Sequence, residues 1–305
     1  MPELPDICTY IRCLESRIVG QPLARVAIRA PFLLRTVEPP IDACVGRTVR
    51  GVRRIGKRIA FELDDDSFVV FHLMIAGRFR WQAAAPPSPV ARRAPKIELA
   101  RFNFPSGTLA LTEAGPRKRA SLHVVRGAAS LTQFDRGGLD TLTASADEFA
   151  AALRRENHTL KRALTDPRLF SGIGNAYSDE ILHAARLSPV TLSARLPDAD
   201  CRQLHAATRD TLQTWIDRLA ARFATRFPGP GDVTAFRPEF AVHGRFGQAC
   251  PACAAPVQRI RYADHETNYC PGCQTGGRIL ADRSLSRLLR ADWPRTLDEL
   301  EGPAP

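Results

Sequence analysis

The first six residues, Met1-Pro2-Glu3-Leu4-Pro5-Asp6, place an amine beside carboxyl groups. Aminopeptidases usually remove a methionine that precedes a small residue, and its removal would leave Pro2 as a free secondary amine. Such an amine can attack an electrophilic sugar carbon and form an iminium, which is nucleophilic catalysis by the Schiff-base route. Glu3 adjoins it, where a carboxyl group could protonate a leaving group. While Met1 remains attached, the nitrogen of Pro2 is an amide and cannot act as a nucleophile.

The same stretch also suits the start of a helix, so a purely structural explanation stays open. Proline is favoured in the first helical turn, and acidic residues are favoured near the positive end of the helix dipole. Apolar residues at helical spacing then predict an amphipathic helix over residues 5–18, with Ile7, Ile11, Leu14 and Ile18 on one face.

Four of the eight cysteines form two pairs near the C-terminus, Cys250/Cys253 and Cys270/Cys273, with sixteen residues between the pairs. This spacing is typical of one structural Zn²⁺ held by four thiolates, a closed site that folds its module and does no chemistry. The alternative is a set of unrelated buried or redox cysteines. The segment between the pairs carries Arg259 and Arg261 and predicts a basic β-hairpin suited to a nucleic-acid groove.

A tight turn rich in glycine, Ser171-Gly172-Ile173-Gly174, precedes a helix that starts at Asn175. Free backbone N–H groups at a helix start can hold a phosphate, and the Asn175 amide could add a further donor. Lys161, one element earlier, could lie nearby. The alternative is an ordinary helix corner in which Asn175 acts as the N-cap.

Composition narrows the class of protein. The chain has 305 residues, a formal net charge of +11 and a pI of about 9.8, which suits a polyanionic partner. It has no apolar run long enough to span a membrane and no secretory signal pattern at the N-terminus. Scattered cysteines together with a zinc motif fit a reducing, cytoplasmic compartment, and we expect a monomer without a membrane partner.

Strand-like and helical patterns occupy different parts of the chain. Alternation predicts seven strands, over residues 24–29, 47–53, 59–63, 68–75, 96–102, 108–112 and 122–125, and a loop over 83–95. Helical periodicity predicts helices over residues 146–156, 160–165, 175–185, 198–223 and 284–290. We therefore expect an α+β multidomain fold: an N-terminal antiparallel sandwich or barrel (1–126), a linker (127–142), a helical domain (143–235), a zinc finger (236–280) and an extension (281–305).

The Pro2–Asp6 start, the turn from Phe170 to Glu180 and the four-cysteine finger together resemble the formamidopyrimidine-DNA glycosylase and endonuclease VIII family. The motifs occur in the family's order and span nearly the whole chain. The resemblance implies an N-terminal β-sandwich, a helix–two-turn–helix domain and a zinc-finger β-hairpin that together clamp damaged double-stranded DNA. It also implies base excision followed by strand cleavage at the abasic site.

The resemblance also implies roles for single residues. Pro2 would be the Schiff-base nucleophile, Glu3 the proton donor and Lys57 the catalytic lysine. The residues that would contact DNA are Ile75, an apolar wedge, Arg117, which fills the gap left by the flipped nucleotide, and the phosphate-contacting Lys161, Gly174 and Asn175. The alternative for Lys57 is a solvated charge at a strand end.

Several residues depart from the family pattern. His265 stands where the finger usually has an arginine, so either His265 or Arg261 or Arg278 would grip the phosphate. Arg119 replaces a common aromatic wedge, and about thirty residues follow Cys273. The segment Asp232–Phe240 is too short for the loop that covers oxidised purines in some members. The preferred lesion therefore stays open, with oxidised pyrimidines or bulky adducts as alternatives, and a non-catalytic protein that binds damaged DNA is the competing function.

Overall fold

The computed structural model describes residues 1–84, 95–262, 265–282 and 294–301 of the chain. These residues form two compact units. The first comprises Met1–Arg136 and Trp215–Ala235, and the second comprises Gly137–Thr214 and Phe236–Pro305. The first unit thus includes residues 215–235, which the sequence pattern places in the predicted helical domain.

Apolar side chains explain why the segment 215–235 belongs to the first unit. The ring of Phe227 lies 5.7 Å from that of Tyr10 and 6.4 Å from that of Trp81. Val233 is only 3% exposed and belongs to the main hydrophobic core of this unit. Burial of such side chains stabilises a folded unit by about 1.5–3 kcal/mol each.

The first unit is a β-sandwich preceded by a helix. The helix is α1 (Leu4–Ile18), and the strands are β1 (Arg25–Ile28), β2 (Val49–Ile55), β3 (Arg58–Leu63), β4 (Ser67–His72), β5 (Gly77–Ala83), β6 (Glu98–Phe104), β7 (Gly107–Glu113) and β8 (Ser121–Arg126). They form two four-stranded sheets with the orders β1-β6-β7-β5 and β2-β3-β4-β8. Every strand pair within them is antiparallel.

The core lies between the two sheets and is rich in aromatic residues. The ring of Phe71 on β4 lies 4.7 Å from that of Phe61 and 5.2 Å from those of Phe79 and Phe102 on the other sheet. The α1 helix covers this core with its apolar face, and its residues Ile7, Tyr10, Leu14 and Ile18 are fully buried. The amino terminus is thereby fixed against the sandwich.

The second unit contains the remaining helices and a hairpin. Its elements are α2 (Ala146–Arg154), α3 (Leu160–Thr165), α4 (Asn175–Ala184), β9 (Gln258–Tyr262), β10 (His265–Tyr269), α6 (Pro271–Gln274) and α7 (Leu297–Glu301). The long helix α5 (Asp198–Arg222) has its first part in this unit and its last residues in the other. Short 3-10 helices occur at Pro31–Leu33, Ile41–Cys44 and Ala128–Phe134 in the first unit and at Ser193–Arg195 in the second.

The predicted fold class is confirmed, with errors at single elements. The predicted strand 68–75 is too long, because β4 ends at His72 and the chain then turns. Strand β5 was not predicted, so the described residues of the sandwich contain eight strands and not seven. The predicted helix 284–290 and most of the predicted loop 83–95 lie outside the described residues. None of the helices in the described ranges has both the length and the apolar character needed to cross a membrane.

Candidate active site

The amino terminus is buried and held by a reciprocal pair of hydrogen bonds. Glu3 is the N-cap of α1, and its side chain accepts from the backbone of Asp6 while the Asp6 side chain accepts from the backbone of Glu3. The second of these bonds joins the Glu3 nitrogen and Asp6 Oδ2 at 3.0 Å. Both residues are 3% exposed. This capping box fixes the backbone direction at Pro2 and Glu3.

The electrostatic surroundings of the amino terminus favour a neutral amine. Burial lowers the pKa of the amino-terminal amine, here on Met1. The carboxylates of Glu3 and Asp6 raise that pKa, whereas the cationic side chains of Arg78 and Lys57 lower it further. The net effect is a lowered pKa, which increases the neutral fraction of an amine at this position near neutral pH.

Lys57 lies in the two-residue loop between β2 and β3, after Gly56, whose φ of +58° lies in the left-handed region. The neighbouring strand end carries Arg58, which stands opposite His72 of β4 in the sheet register. Burial lowers the pKa of His72 to about 4, and Arg58 and Lys57 contribute to the shift. His72 is therefore neutral at physiological pH, and the positive charge here belongs to Lys57 and Arg58.

Ile75 lies in a turn that holds its apolar side chain outward. It is 60% exposed, and the turn is closed by a hydrogen bond from the Gly77 nitrogen to the Leu73 oxygen at 2.9 Å. The Arg78 guanidinium donates to the carbonyl oxygens of Ile75 at 3.0 Å and Gly77 at 2.7 Å. A Cβ atom at Gly77 would lie 2.2 Å from the Leu73 oxygen, so this position requires glycine.

Arg117 lies in a neighbouring loop that is organised by a buried carboxylate. Glu113 is 1% exposed and accepts from the backbone nitrogen of Arg119 at 3.0 Å and that of Ala120 at 3.1 Å. Lys118 Nζ donates to the Glu113 carbonyl oxygen. Because Glu113 pairs with Gly77 across β7 and β5, the loops that carry Arg117 and Ile75 leave the sandwich side by side.

In the second unit, Lys161 is engaged internally. Its ammonium donates to Asn175 O at 2.7 Å, Ser178 Oγ at 2.8 Å and Asp179 Oδ1 at 2.5 Å. An ammonium has three N–H groups, and these three contacts use them all. Its side chain is 12% exposed and that of Asp179 is 0% exposed. This geometry makes Lys161 an organiser of the α4 start.

Asp179 connects α4 to the hairpin formed by β9 and β10. Its Oδ2 atom lies 2.7 Å from His243 Nδ1 and accepts from the backbone nitrogen of Asn268 at 3.1 Å. A buried carboxylate is tolerated when charged or polar donors surround it in this way. Lys161, His243 and the hairpin therefore share one anchoring carboxylate.

Two further side chains of α4 bind the segment that contains the finger. Asn175, which follows the N-cap Gly174, donates from Nδ2 to the Glu266 oxygen of β10 at 2.8 Å. The Glu180 carboxylate accepts from three consecutive backbone N–H groups, those of residues 241–243, at 2.7–2.9 Å. Burial raises the pKa of Glu180, and these three donors oppose that shift.

The four cysteine side chains of the finger lie together. The Sγ atoms of Cys253 and Cys270 are 3.3 Å apart, and those of Cys250 and Cys273 are 3.9 Å apart. Zn–S bonds of ~2.3 Å in a tetrahedron put sulfur atoms roughly 3.8 Å apart, so these positions fit a zinc ion. His183 of α4 lies beside three of these cysteines: its Nε2 atom is 3.3 Å from Cys250 Sγ, and a ring nitrogen of His183 and the Sγ atoms of Cys250, Cys270 and Cys273 all lie within 4.8 Å of one another.

The structure describes the predicted phosphate contacts of the finger to different extents. The Arg261 side chain is 62% exposed and its backbone nitrogen donates to Asp282 Oδ2 at 2.6 Å. His265 begins β10, but its side chain lies outside the described residues. Arg278 is exposed. The choice between them stays a prediction.

Several functional candidates were not predicted from the sequence. They are Arg78 and Glu113 in the first unit and Asp179, Glu180 and His183 in the second. A usable signal existed for α4, because Asn175, Asp179 and His183 follow at intervals of four residues and so share one helix face. Nothing in the sequence near Glu113 indicated that its carboxylate turns back onto the following loop.

Comparisons with known proteins match two parts of the chain to domains of one protein family. Residues 1–122 match the formamidopyrimidine-DNA glycosylase N-terminal domain, and residues 138–225 match the H2TH domain of the same family. A formamidopyrimidine-DNA glycosylase of Heliobacterium modesticaldum is 32% identical over 90% of this chain and all of its own length. An uncharacterized formamidopyrimidine-DNA glycosylase-like protein of Mycobacterium tuberculosis is 40% identical over 50% of this chain and 94% of its own.

Solved structures of a Lactococcus lactis relative show the same fold. A mutant of that formamidopyrimidine-DNA glycosylase in complex with DNA containing Fapy-dG is 28% identical, with a TM-score of 0.77 over 90% of this chain and 100% of its own. The wild-type L. lactis protein, with the same TM-score of 0.77, is in complex with DNA containing an oxidized pyrimidine.

Proposed function

Because the chain belongs to the formamidopyrimidine-DNA glycosylase family, we propose that this DNA glycosylase is bifunctional: it excises a damaged base and then cuts the strand at the abasic site. The observation that carries this proposal is the geometry of the amino terminus. Pro2 is buried beside Glu3, the capping box fixes both residues, and the charges of Lys57 and Arg78 act on the terminal amine.

The chemistry begins once Met1 is removed and Pro2 carries a secondary amine. The neutral Pro2 nitrogen attacks C1′ of the damaged nucleotide and the bond from C1′ to the base breaks; the bond from C1′ to O4′ then breaks as the sugar ring opens. The departing base and O4′ take up two protons, one supplied by the carboxyl group of Glu3 and the other lost from the Pro2 nitrogen. The product is a C1′ iminium. Its positive charge acidifies the C2′–H bond, so loss of that proton expels the 3′ phosphate by β-elimination. A second elimination releases the 5′ phosphate, and hydrolysis frees Pro2.

The DNA must present C1′ outside the base stack, since a stacked nucleotide cannot be reached in line. Ile75 and Arg117 suit this task, because both are exposed on adjacent loops of the first unit. Ile75 would wedge between base pairs and Arg117 would fill the gap left by the flipped nucleotide. Arg78 and Glu113 hold the two loops in place.

Phosphate binding in the second unit would use the start of α4. We keep Gly174 and Asn175 as the phosphate contacts there: Gly174 is the N-cap, Asn175 is the first residue of α4, and the Asn175 amide has a second N–H besides the one bound to Glu266. We assign Lys161 a positioning role at this site, because its three N–H groups are used internally. Arg261 and His265 remain the proposed contacts of the finger.

Zinc would be held by Cys250, Cys253, Cys270 and Cys273. When bound, the ion would stabilise the finger and take no part in the reaction, because four thiolates fill its coordination sphere. The distances between the sulfur atoms support this ligand set.

Lesions other than oxidised purines are a second candidate substrate class. Val233 is buried in the core of the first unit and Phe240 is buried in the second, which leaves six residues, 234–239, between these fixed points. Six residues are too few to fold over a flipped base as a long loop. An open base site would accept oxidised pyrimidines or bulkier adducts.

The decisive experiment is borohydride trapping on DNA with a single abasic site. We expect protein with a free Pro2 amine to form a covalent complex, Pro2→Gly to form less, and protein with an N-terminal extension to form none. The matched control is the same extended protein after cleavage that exposes Pro2, which should regain trapping. Full trapping by the extended protein would rule out the Pro2 amine, and its absence in every form would favour a non-catalytic binding protein.

The lesion class needs a separate measurement. Purified protein is incubated with duplexes that each carry one defined lesion, and the cut strands are separated on a denaturing gel. The short segment predicts faster release of oxidised pyrimidines than of oxidised purines. The opposite order would contradict the inference from residues 234–239.

A further inference from the structure

One face of α4 carries a row of polar side chains that bind the finger segment. Asn175 and Asp179 contact β10 through Glu266 O and the Asn268 nitrogen. His183 is the next residue on the same face, four positions on, and its Nε2 atom lies 3.3 Å from Cys250 Sγ. The last contact in this row is therefore made to a sulfur of the cysteine cluster.

We infer that His183 is a positioning residue of the zinc site, donating a hydrogen bond from Nε2–H to the Cys250 thiolate. The inference rests on the zinc site proposed above and goes beyond it, because His183 belongs to α4 and not to the finger. The tautomer follows from the acceptor: a zinc-bound thiolate has no proton to give, so the proton must be on Nε2.

His183 and Cys253 are alternative fourth ligands, because a ring nitrogen of His183 and the Sγ atoms of Cys250, Cys270 and Cys273 all lie within 4.8 Å of one another. A tetrahedral zinc ion accepts four ligands, and we assign the fourth place to Cys253, whose Sγ atom lies 3.3 Å from Cys270 Sγ, because the two cysteine pairs then supply four thiolates. The distance from His183 Nε2 to Cys250 Sγ suits an N–H···S hydrogen bond. His183 then contacts a ligand of the zinc ion and not the ion itself.

Such a hydrogen bond matters because four thiolates give the site a formal net charge of −2 when Zn²⁺ is bound. Donors to sulfur disperse this charge and orient the ligand. Backbone donors exist at Cys250 from Ala252 and at Cys270 from Cys273, both at 3.4 Å. His183 adds a closer donor at Cys250, and it couples zinc retention to the helix that begins at the phosphate-binding turn.

The test compares His183→Phe, which keeps a ring but loses the donor, with His183→Gln, which keeps an N–H group. His158→Phe is the matched control, because His158 is a partly buried imidazole of the same unit that bonds to Glu156 at 2.7 Å. Zinc content is measured first in the full chain without DNA. The rate of zinc transfer to a chromogenic chelator and the absorption spectrum of the cobalt-substituted protein follow.

We expect one zinc per chain and a release that is about 10–100-fold faster in His183→Phe, a loss typical of outer-shell partners. His183→Gln should lie between this variant and the wild type, and His158→Phe should match the wild type. The cobalt spectrum should indicate four sulfur ligands in the wild type and in His183→Phe alike. If His183→Phe does not fold, His183→Asn, which is too short to reach the sulfur, replaces it.

Unchanged zinc release in His183→Phe would overturn the inference. A wild-type cobalt spectrum with a nitrogen ligand that disappears in the variant would also overturn it, because His183 would then be a ligand. A folded wild-type protein without zinc would instead refute the proposed metal site itself, so the two failures are distinguishable.

Discussion

Replacement of Lys161 by methionine should destabilise the second unit and leave the number of phosphate contacts unchanged. The ammonium of Lys161 donates to Asn175, Ser178 and Asp179, and the Asp179 side chain is fully buried. Removing one partner of a buried ion pair leaves an uncompensated charge and costs about 3–5 kcal/mol. His243 and Asn268 still donate to Asp179, so we expect the lower end, about 3 kcal/mol.

The assay is urea denaturation followed by circular dichroism, with Lys96→Met as the control, since Lys96 is an exposed lysine. A double-mutant cycle with Asp179→Asn isolates the pair. The double variant should lose less free energy of unfolding than the sum of the single variants, because it leaves no unpaired charge. Lys96→Met should change that free energy by less than about 0.5 kcal/mol.

Binding to duplex DNA at several salt concentrations separates the two roles of Lys161. A lysine that contacts a phosphate contributes about −0.9 to the slope of log K against log salt, and its loss would make the slope shallower by that amount. We expect no such change in Lys161→Met. An unchanged free energy of unfolding together with a shallower slope would refute the positioning role and restore the phosphate contact predicted from the sequence.

Four further predictions follow from the same contacts. Asn175→Ala should weaken binding alike for all DNA sequences, measured by fluorescence anisotropy at fixed salt, because a phosphate contact carries no sequence information; a loss confined to some sequences would contradict it. Glu113→Gln should loosen the Arg117 loop by weakening charge-assisted hydrogen bonds worth about 1.5–3 kcal/mol each, and limited proteolysis at Arg117 should speed up. Arg78→Gln removes a positive charge that lowers the pKa of the terminal amine, so the pH at half-maximal trapping should rise, and a fall would contradict the assigned sign. Zinc removal by a chelator should reduce DNA affinity more than the cleavage rate at saturating DNA, and equal losses would point to a role of the metal in the reaction.

The sequence was sufficient for the fold class and for the family, because these depend on patterns that are local in the chain. Helix α1, the paired cysteines and the glycine turn are each specified by residues within a few positions of one another. The C-terminal end of β4 could not be predicted from such a local pattern, because the turn after this strand consists of Leu73, Met74, Ile75 and Ala76. Apolar residues in a turn imitate a strand, and in this turn Leu73 is buried whereas Ile75 is exposed.

The same error hid strand β5. Its sequence from Gly77 to Ala83 alternates, with Phe79 fully buried between the partly exposed Arg78 and the exposed Arg80, and this is the pattern of a half-buried strand. Met74 has a φ of +52°, so a left-handed turn is made here without glycine, asparagine or proline to mark it.

Contacts between distant residues account for the other omissions in the site. Asp179 lies 64 residues from His243 and 89 from Asn268, and no local pattern relates them. The resemblance implies that Lys161 contacts a phosphate. The number of acceptors around the Lys161 ammonium could not be counted from the sequence. Such a count requires coordinates.

The division of the first unit into two separate stretches of chain has a consequence during synthesis. Translation of the first stretch of this unit ends at Arg136. Phe227 and Val233, which complete the hydrophobic packing of the sandwich, are added about a hundred residues later. At ~5–20 residues per second the ribosome needs roughly 5–20 s to bridge that interval. During this time the surfaces around Tyr10 and Trp81 lack the ring of Phe227. A nascent chain halted in this interval would expose these surfaces to other chains. Rare codons or a stall between residues 136 and 235 should therefore lower the yield of soluble protein more than the same delay placed after residue 235.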